Sequence, residues 1–513
     1  MSESTTHSHP PLITALLQAE RYPHTVDGLY LLETHISWVI LTGPYAYKIK
    51  KPVDLGFVNF TDLIKRKFYC EEELRLNSRF DTGIYLEVVP ITGSLANPQL
   101  AGEGEPIEYA VKMVQFPQEV LLSHLVVEHQ LKPEQIDQLA NEIAQFHQEV
   151  AVAGEDSVFG KPERVIEPMR ENFRHLFSST VIEESVNSRL KQLEKWTEAE
   201  FLKQRELLLA RKQNGFIREC HGDLHLGNMI LWKGKVTAFD CIEFNESFRW
   251  IDVLSEVAFC VMDLEDRGEL GLSHRLLNQY LEATGDYAGI TLLPFYLTYR
   301  AMVRAKVAAI RFDQPGLTPE ERKELKEEFR GYLTLAEKYI SRSQPRLMIT
   351  HGYSGSGKTY GTQSLVEQLG AIRIRSDVER KRLFEREDVE LYSPETTDRT
   401  YAYLKDLANR ILQAGFPVIV DATFLKFSQR DLFASLAKEL NIPFSILDFQ
   451  TPVEEMRRRI VARAAENQDA SDADLEVLEI QLASAESFRE EELSEVIPVE
   501  AGQDDLLSEK LGK

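Results

Sequence analysis

Between Trp38 and Lys51 apolar and polar positions alternate. Trp-Val-Ile-Leu-Thr, a Gly43-Pro44 turn and Tyr-Ala-Tyr-Lys-Ile-Lys together predict a hairpin. Leu63 to Asn77, where Phe68, Leu74 and Leu76 sit among Lys, Arg and Glu, predicts a helix. Tyr85 to Pro90 and Tyr109 to Val114 predict further strands, so the first part of the chain reads as a small strand-rich lobe with one helix. After Pro117 the period changes: from Pro133 to Val150 the apolar Ile136, Leu139, Ile143 and Phe146 fall at helical spacing. Gly215 to Cys220 predicts a short strand, and Met229 to Trp232, a Lys233-Gly234-Lys235 turn and Val236 to Phe239 a second hairpin. Helices follow to about Ile340, the last opened by the capping box Thr318-Pro319-Glu320-Glu321.

Ser341 to Arg346 is polar and contains Pro345. It reads as a linker at which the chain separates into two soluble halves. Beyond it the texture is that of a parallel α/β sheet. Leu347 to His351, Ala371 to Arg375, Pro417 to Asp421 and Phe444 to Asp448 predict strands separated by helical stretches, the first of these Tyr360 to Leu369. The segment from Asp472 onward is acidic, and its last part, 491–513, is expected to be mobile.

A length of 513 residues with 43% apolar residues allows several domains with buried cores. Met1 to Pro11 is polar, and no run of about 18 apolar residues occurs. A membrane partner is therefore not expected, and a cytoplasmic location is. The four cysteines, Cys70, Cys220, Cys241 and Cys260, show no C-x-x-C spacing, which fits a reduced compartment. A formal charge of −23 repels polyanions at long range, leaving only a local basic channel as a route to nucleic acid.

Two segments carry phosphate chemistry. In Gly352-Tyr-Ser-Gly-Ser-Gly-Lys-Thr359, Gly352, Gly355 and Gly357 allow backbone N–H groups, with Ser354 and Ser356 between them, to turn inward around phosphate oxygens. Lys358 adds charge there and Thr359 offers Mg²⁺ a hydroxyl. An apolar strand before this P-loop and a helix after it complete what its mechanism requires. The other segment is His221-Gly-Asp-Leu-His-Leu-Gly-Asn228. It follows a strand and precedes the hairpin that ends, 17 residues after Asp223, in Phe239-Asp240.

His221-Gly222-Asp223 with Asn228 and Asp240 resembles the aminoglycoside phosphotransferase and choline kinase family over roughly residues 25 to 340. The resemblance implies that Asp223 is the base or orienter of an acceptor hydroxyl and that Asn228 and Asp240 are Mg²⁺ ligands. It also implies that Lys48, paired with Glu72 or Glu73, contacts the α and β phosphates of ATP. No glycine-rich nucleotide loop precedes the hairpin, and Cys241 stands where an aromatic residue is common. His225 and Glu243 read as structural, and Asp252 as a brace for the loop.

The P-loop segment, with Ser376-Asp377-Val-Glu-Arg380, Asp421 at a strand end and the run Arg457, Arg458, Arg459, Arg463, resembles kinases related to polynucleotide kinase, gluconate kinase and the zeta toxins over about 346 to 490. That resemblance implies Asp377 as base, Arg380 and Asp421 facing the acceptor, and Arg459 and Arg463 in a lid. The expected architecture is thus α/β and α+β: a protein-kinase-like bilobal domain at 25–340, a P-loop α/β domain with a mainly parallel sheet at 346–490, and the acidic tail. The expected function is ATP- and Mg²⁺-dependent phosphotransfer to small-molecule hydroxyl acceptors. A nucleotide-sensing regulator, or a nucleic-acid end kinase in the C-terminal part, is the alternative.

Overall fold

The computed structural model describes residues 9–500 apart from positions 57, 81, 342–344, 388, 392 and 467–473. The chain forms two compact units, each assembled from several segments. The first comprises Met1–Leu131, Phe146–Lys161 and Lys212–Glu256, and the second Lys132–Gln145, Pro162–Arg211 and the chain from Val257 onward.

In the first unit the alternating segments form β1 (Tyr30–Glu33), β2 (Ser37–Leu41), β3 (Tyr45–Lys50), β4 (Tyr85–Ser94), β5 (Asn97–Leu100) and β6 (Glu108–Val114). They make one antiparallel sheet in the order β1-β2-β3-β6-β4-β5, so the expected hairpin is β2-β3 and β3 lies inside the sheet. One core joins Ile40, Tyr47 and Ile49 of that hairpin to Ile91 and Ala110, with Leu12, Ile13 and Leu16 of the helix Pro11–Leu16 against them. The helix Leu63–Asn77 spans the predicted residues, capped by Asp62, whose carboxylate accepts the Ile64 N–H. Two short pairs complete the unit: β7 (Ile217–Glu219) with β10 (Trp250–Asp252), and the hairpin of β8 (Met229–Trp232) with β9 (Lys235–Ala238).

The second unit holds helices and a five-stranded sheet in the order β12-β13-β11-β14-β15, every neighbouring pair parallel. Its strands are β11 (Leu347–His351), β12 (Ile372–Arg375), β13 (Val418–Asp421), β14 (Phe444–Gln450) and β15 (Val496–Glu500). β11 and β13 are largely apolar and buried almost throughout, the character of strands covered on both faces, while β12 alternates Ile and Arg. β15 corrects the expectation of a mobile tail for 496–500. Val499 joins the core of Met348, Ile419 and Leu447, so the acidic character of the region hid a strand that buries apolar side chains. Residues 501–513, and 342–344 of the expected linker, lie outside the described residues. The capping box at Thr318 forms as the sequence indicates.

Candidate functional sites

Lys48 and Lys50 are two apart on β3 and so share a face. Both reach Glu73 of the helix Leu63–Asn77: Lys48 Nζ lies 2.7 Å from Oε1 and Lys50 Nζ 2.7 Å from Oε2. Lys48 also donates to Asp240 Oδ1 at 2.5 Å, and Lys50 to Glu243. Between the two candidate glutamates the choice falls on Glu73. Glu72, about 100° away around the helix, pairs instead with Arg75 at 2.8 Å and is not part of this cluster.

Burial disfavours both ammonium charges, but Asp240 and Glu73 beside Lys48, and Glu243 and Glu73 beside Lys50, more than offset it, so both pKa values are raised. Burial would raise the Glu73 carboxyl; the two lysines hold it down at about 2. Glu243 goes the other way, pushed up by burial. Glu243, read from the sequence as structural, is buried here as the ion-pair partner of Lys50.

The β8-β9 hairpin brings Asn228 and Asp240 together. Met229 pairs with Ala238, and Phe239 N–H donates to the Asn228 carbonyl at 3.0 Å, so the residues just outside the hairpin are neighbours. Asn228 Nδ2 donates to the Asp223 carbonyl and to Oδ2, both at 3.0 Å, tying Asp223 of the loop 221–228, the acid loop, to the same corner. The Asp223 side chain keeps 36% exposure and that of Asp240 40%, enough for both to meet a ligand. Asp240 adopts φ 66°, a left-handed conformation that a non-glycine residue holds only where its surroundings enforce it. Here Tyr85 OH accepts its N–H at 3.2 Å, and Asn77 Oδ1 accepts that of Cys241 at 3.0 Å.

The acid loop is braced by Glu256, which the sequence reading passed over in favour of Asp252. Glu256 Oε1 accepts the Gly222 N–H at 2.6 Å, and Oε2 lies 2.9 Å from His147 Nε2. Asp252 caps the next helix, accepting the Leu254 N–H at 2.9 Å. Burial would raise the Glu256 carboxyl, but His147, His221 and the Gly222 amide hold it near 2. Gly222 is required at its φ of 94°, since a Cβ there would lie 2.8 Å from the Phe248 carbonyl oxygen. His221 donates from Nε2 to the Phe239 carbonyl at 2.8 Å, and its Nδ1 accepts the Asp223 N–H at 3.3 Å.

In the second unit the P-loop joins β11 to the short helix Lys358–Gly361, with Gly352, Gly355 and Gly357 all at positive φ (146°, 81° and 89°). It opens into a cavity of about 1440 Å³ that Asp377, Arg380, Asp421 and Arg459 also line. Lys358 Nζ donates to the Gly352 and Tyr353 carbonyls at 2.9 and 2.8 Å. Asp421 ends β13 next to β11 and accepts the Thr359 hydroxyl at 2.6 Å. Beside Thr359 it still lines the cavity with Asp377 and Arg380, and Asp421 and Thr359 are both hard oxygen donors of the kind Mg²⁺ takes.

Asp377 begins the helix Ser376–Leu383 straight after β12, 30% exposed, with Arg380 Nη1 4.0 Å from its Oδ1. Arg380 Nε donates to Thr400 at 3.4 Å. Of the arginine run, Arg457 and Arg458 pair on the surface with Glu454, Glu479 and Glu455. Arg459 pairs with Glu455 and extends Nη1 to 3.5 Å from the Gly355 carbonyl. The Arg463 side chain lies outside the described residues. Sequence reasoning gave no place to Gln481, which accepts the Ser354 N–H at 2.9 Å and donates to its hydroxyl at 3.0 Å. Ser356 Oγ is buried without a hydrogen-bond partner, so this loop carries polar capacity for a phosphate ligand.

Residues 98–293 match the phosphotransferase enzyme family and residues 347–488 an AAA domain. The chain is 30% identical over 451 residues, 86% of its own length and 87% of theirs, to "Uncharacterized protein Rv2004c" of Mycobacterium tuberculosis and "Uncharacterized protein Mb2027c" of Mycobacterium bovis. Among solved structures, amicoumacin kinase hAmiN in complex with AMP-PNP is 13% identical, with a TM-score of 0.40, over 64% of this chain and 94% of that one. A gluconokinase from Sinorhizobium meliloti 1021 is 21% identical, with a TM-score of 0.24, over 32% of this chain and 86% of that one.

Proposed function

We propose, from the premise that this chain belongs to the same family as the two mycobacterial proteins and carries a phosphotransferase-family domain followed by a P-loop kinase domain, that it is an ATP-dependent phosphotransferase with one site in each. Small-molecule hydroxyls are the acceptors. The observation that carries the reading is that each compact unit gathers a separate set of phosphate-handling groups, Lys48, Asp223, Asn228 and Asp240 in one and Gly352–Thr359, Asp377 and Asp421 in the other.

In the first set Lys48, oriented by Glu73, supplies the charge that meets phosphate oxygens. Asp223 stands exposed to take the proton of an acceptor hydroxyl. In the second, loop amides and Lys358 cradle phosphates, Asp377 takes the proton, and Arg380 and Arg459 supply positive charge at the cavity wall. Asn228 with Asp240, and Thr359 with Asp421, are oxygen donors suited to hold Mg²⁺, which when bound draws phosphate oxygens together and spreads the charge of the transferred group.

Isothermal calorimetry with Mg²⁺ and a non-hydrolysable ATP analogue tests this. Two binding events are expected in the full chain, one after Lys358→Ala, one after Lys48→Ala, and none in the double variant. A single event in the wild type, abolished by either substitution, would sink the two-site reading.

A further inference from the structure

The helix Leu270–Thr284 falls inside the stretch that matches the phosphotransferase family, yet it lies in the same compact unit as the P-loop and turns one face to that domain. Gly271, His274, Arg275, Asn278 and Glu282 recur at spacings of one to four residues along this face. Leu276, Leu277 and Leu281 are buried.

The contact is polar and specific in register. His274 Nδ1 donates to the Glu367 carbonyl at 2.8 Å, and Arg275 Nη1 to Glu367 Oε1 at 2.9 Å. Glu282 accepts from Arg375 Nη1 at 2.9 Å, and its carbonyl from Arg382 Nη2 at 2.6 Å. Gly370, at φ 62°, ends the helix Gln363–Leu369 so close to this face that an added Cβ would lie 2.9 Å from the His274 ring.

Asn278 is the centre of this seam. β12 is the edge strand of the parallel sheet, with β13 on one side. On the other side Asn278 Oδ1 accepts the Arg373 N–H at 2.8 Å while its Nδ2 donates to the Ala371 carbonyl at 3.0 Å. One side-chain amide thus stands where a neighbouring strand would, satisfying an edge that would otherwise be open. β12 then runs directly into Ser376 and Asp377. Arg275, gripped by Asp137 at 2.7 and 2.6 Å, lines the same cavity as Asp377.

We infer that the helix Leu270–Thr284 is a positioning element of the P-loop site: Asn278 fixes the register of β12 and through it the place of Asp377. The inference rests on the assignment of Asp377 as the base. Asn278 itself touches no reacting atom. Its effect should fall more on turnover than on nucleotide binding, because the phosphate cradle hangs from β11, in the interior of the sheet, and β12 reaches it through the Arg373 side chain, Nη1 to the Thr359 carbonyl at 2.7 Å, rather than through the amide that Asn278 holds.

The test uses the full chain with Asp223→Asn in the background, so that the turnover read is that of the P-loop site, and Mg·ATP as the probe. In Asn278→Ala, residue-resolved hydrogen exchange should speed up about tenfold or more at the Arg373 amide, which loses its acceptor. The Ile372 amide, bonded to the Pro417 carbonyl, should be unchanged. Lys358-dependent ATP turnover should fall at least about tenfold in kcat with KM for ATP within about threefold, the scale of a small displacement of a reacting group. Asn278→Asp, which keeps the acceptor and loses the donor, should retain Arg373 protection and fall between the two.

Unchanged exchange at Arg373, an unchanged kcat, or kcat and affinity falling together in both variants would each overturn the inference. Absence of any Lys358-dependent turnover in the chain carrying Asp223→Asn alone would overturn the kinase reading and the catalytic part of this one. The exchange arm would still decide whether Asn278 holds the strand.

Discussion

In the proposed reading each phosphotransfer relies on one carboxylate, Asp223 in the first unit and Asp377 in the second. Asp223→Asn and Asp377→Asn keep shape but cannot accept a proton, so phosphotransfer at the corresponding site should drop roughly 10²-fold or more with ATP affinity retained; rates and calorimetry on each variant check this. Glu73 and Glu256 are read by pH. Both titrate at about 2 in the folded chain, below the ordinary carboxylate value of about 4.3, so each contributes stability that is full above about pH 5 and is lost as pH falls toward 2. Denaturant melts of Glu256→Gln across that range should show a shallower acid limb than the wild type. Asp223, Asn228 and Asp240 were legible as a spaced pattern. Glu73 was not separable from Glu72, because adjacent helical residues differ only in direction, and direction has meaning only once β3 is in place. Glu256 was invisible for a similar reason: its partner His147 is 109 residues away.

Among the elements, the β8-β9 hairpin and the acid loop form one device. Gly222→Ala should cost more than about 1 kcal/mol, because its positive φ and the nearby Phe248 carbonyl both oppose a Cβ, and a urea midpoint would show it. The segment before β15 is anchored by Arg430, buried and bidentate with Glu492 at 2.5 and 3.0 Å. Glu492→Ala leaves that guanidinium buried without its carboxylate and should destabilise the P-loop unit by about 3–5 kcal/mol, read in the same way. β11 to β14 were legible as apolar runs between helical stretches. β15 was not, because Val496, Ile497 and Val499 are embedded in acidic sequence, and only the edge of β14 gives them something to pair with.

For the molecule as a whole, the polar segment 341–346 reads as a place to divide the chain, but the seam along the helix Leu270–Thr284 crosses that division within one compact unit. A fragment beginning at 346 should therefore melt at least about 5 °C below the same domain in the full chain, with the amides of β12 losing protection; calorimetry with hydrogen exchange measures both. The sequence by itself determined the two phosphate motifs, the alternating and helical periods around them and the order of the two domains, because each is a local property of spacing and residue type. The tertiary structure alone decided which glutamate meets Lys48, that Asp421 accepts the Thr359 hydroxyl, and that a helix matched to the first domain covers the sheet edge of the second. Those outcomes depend on which strands lie side by side and which helix face is left to meet them, and residues far apart in the chain carry no local mark of a contact that only folding creates.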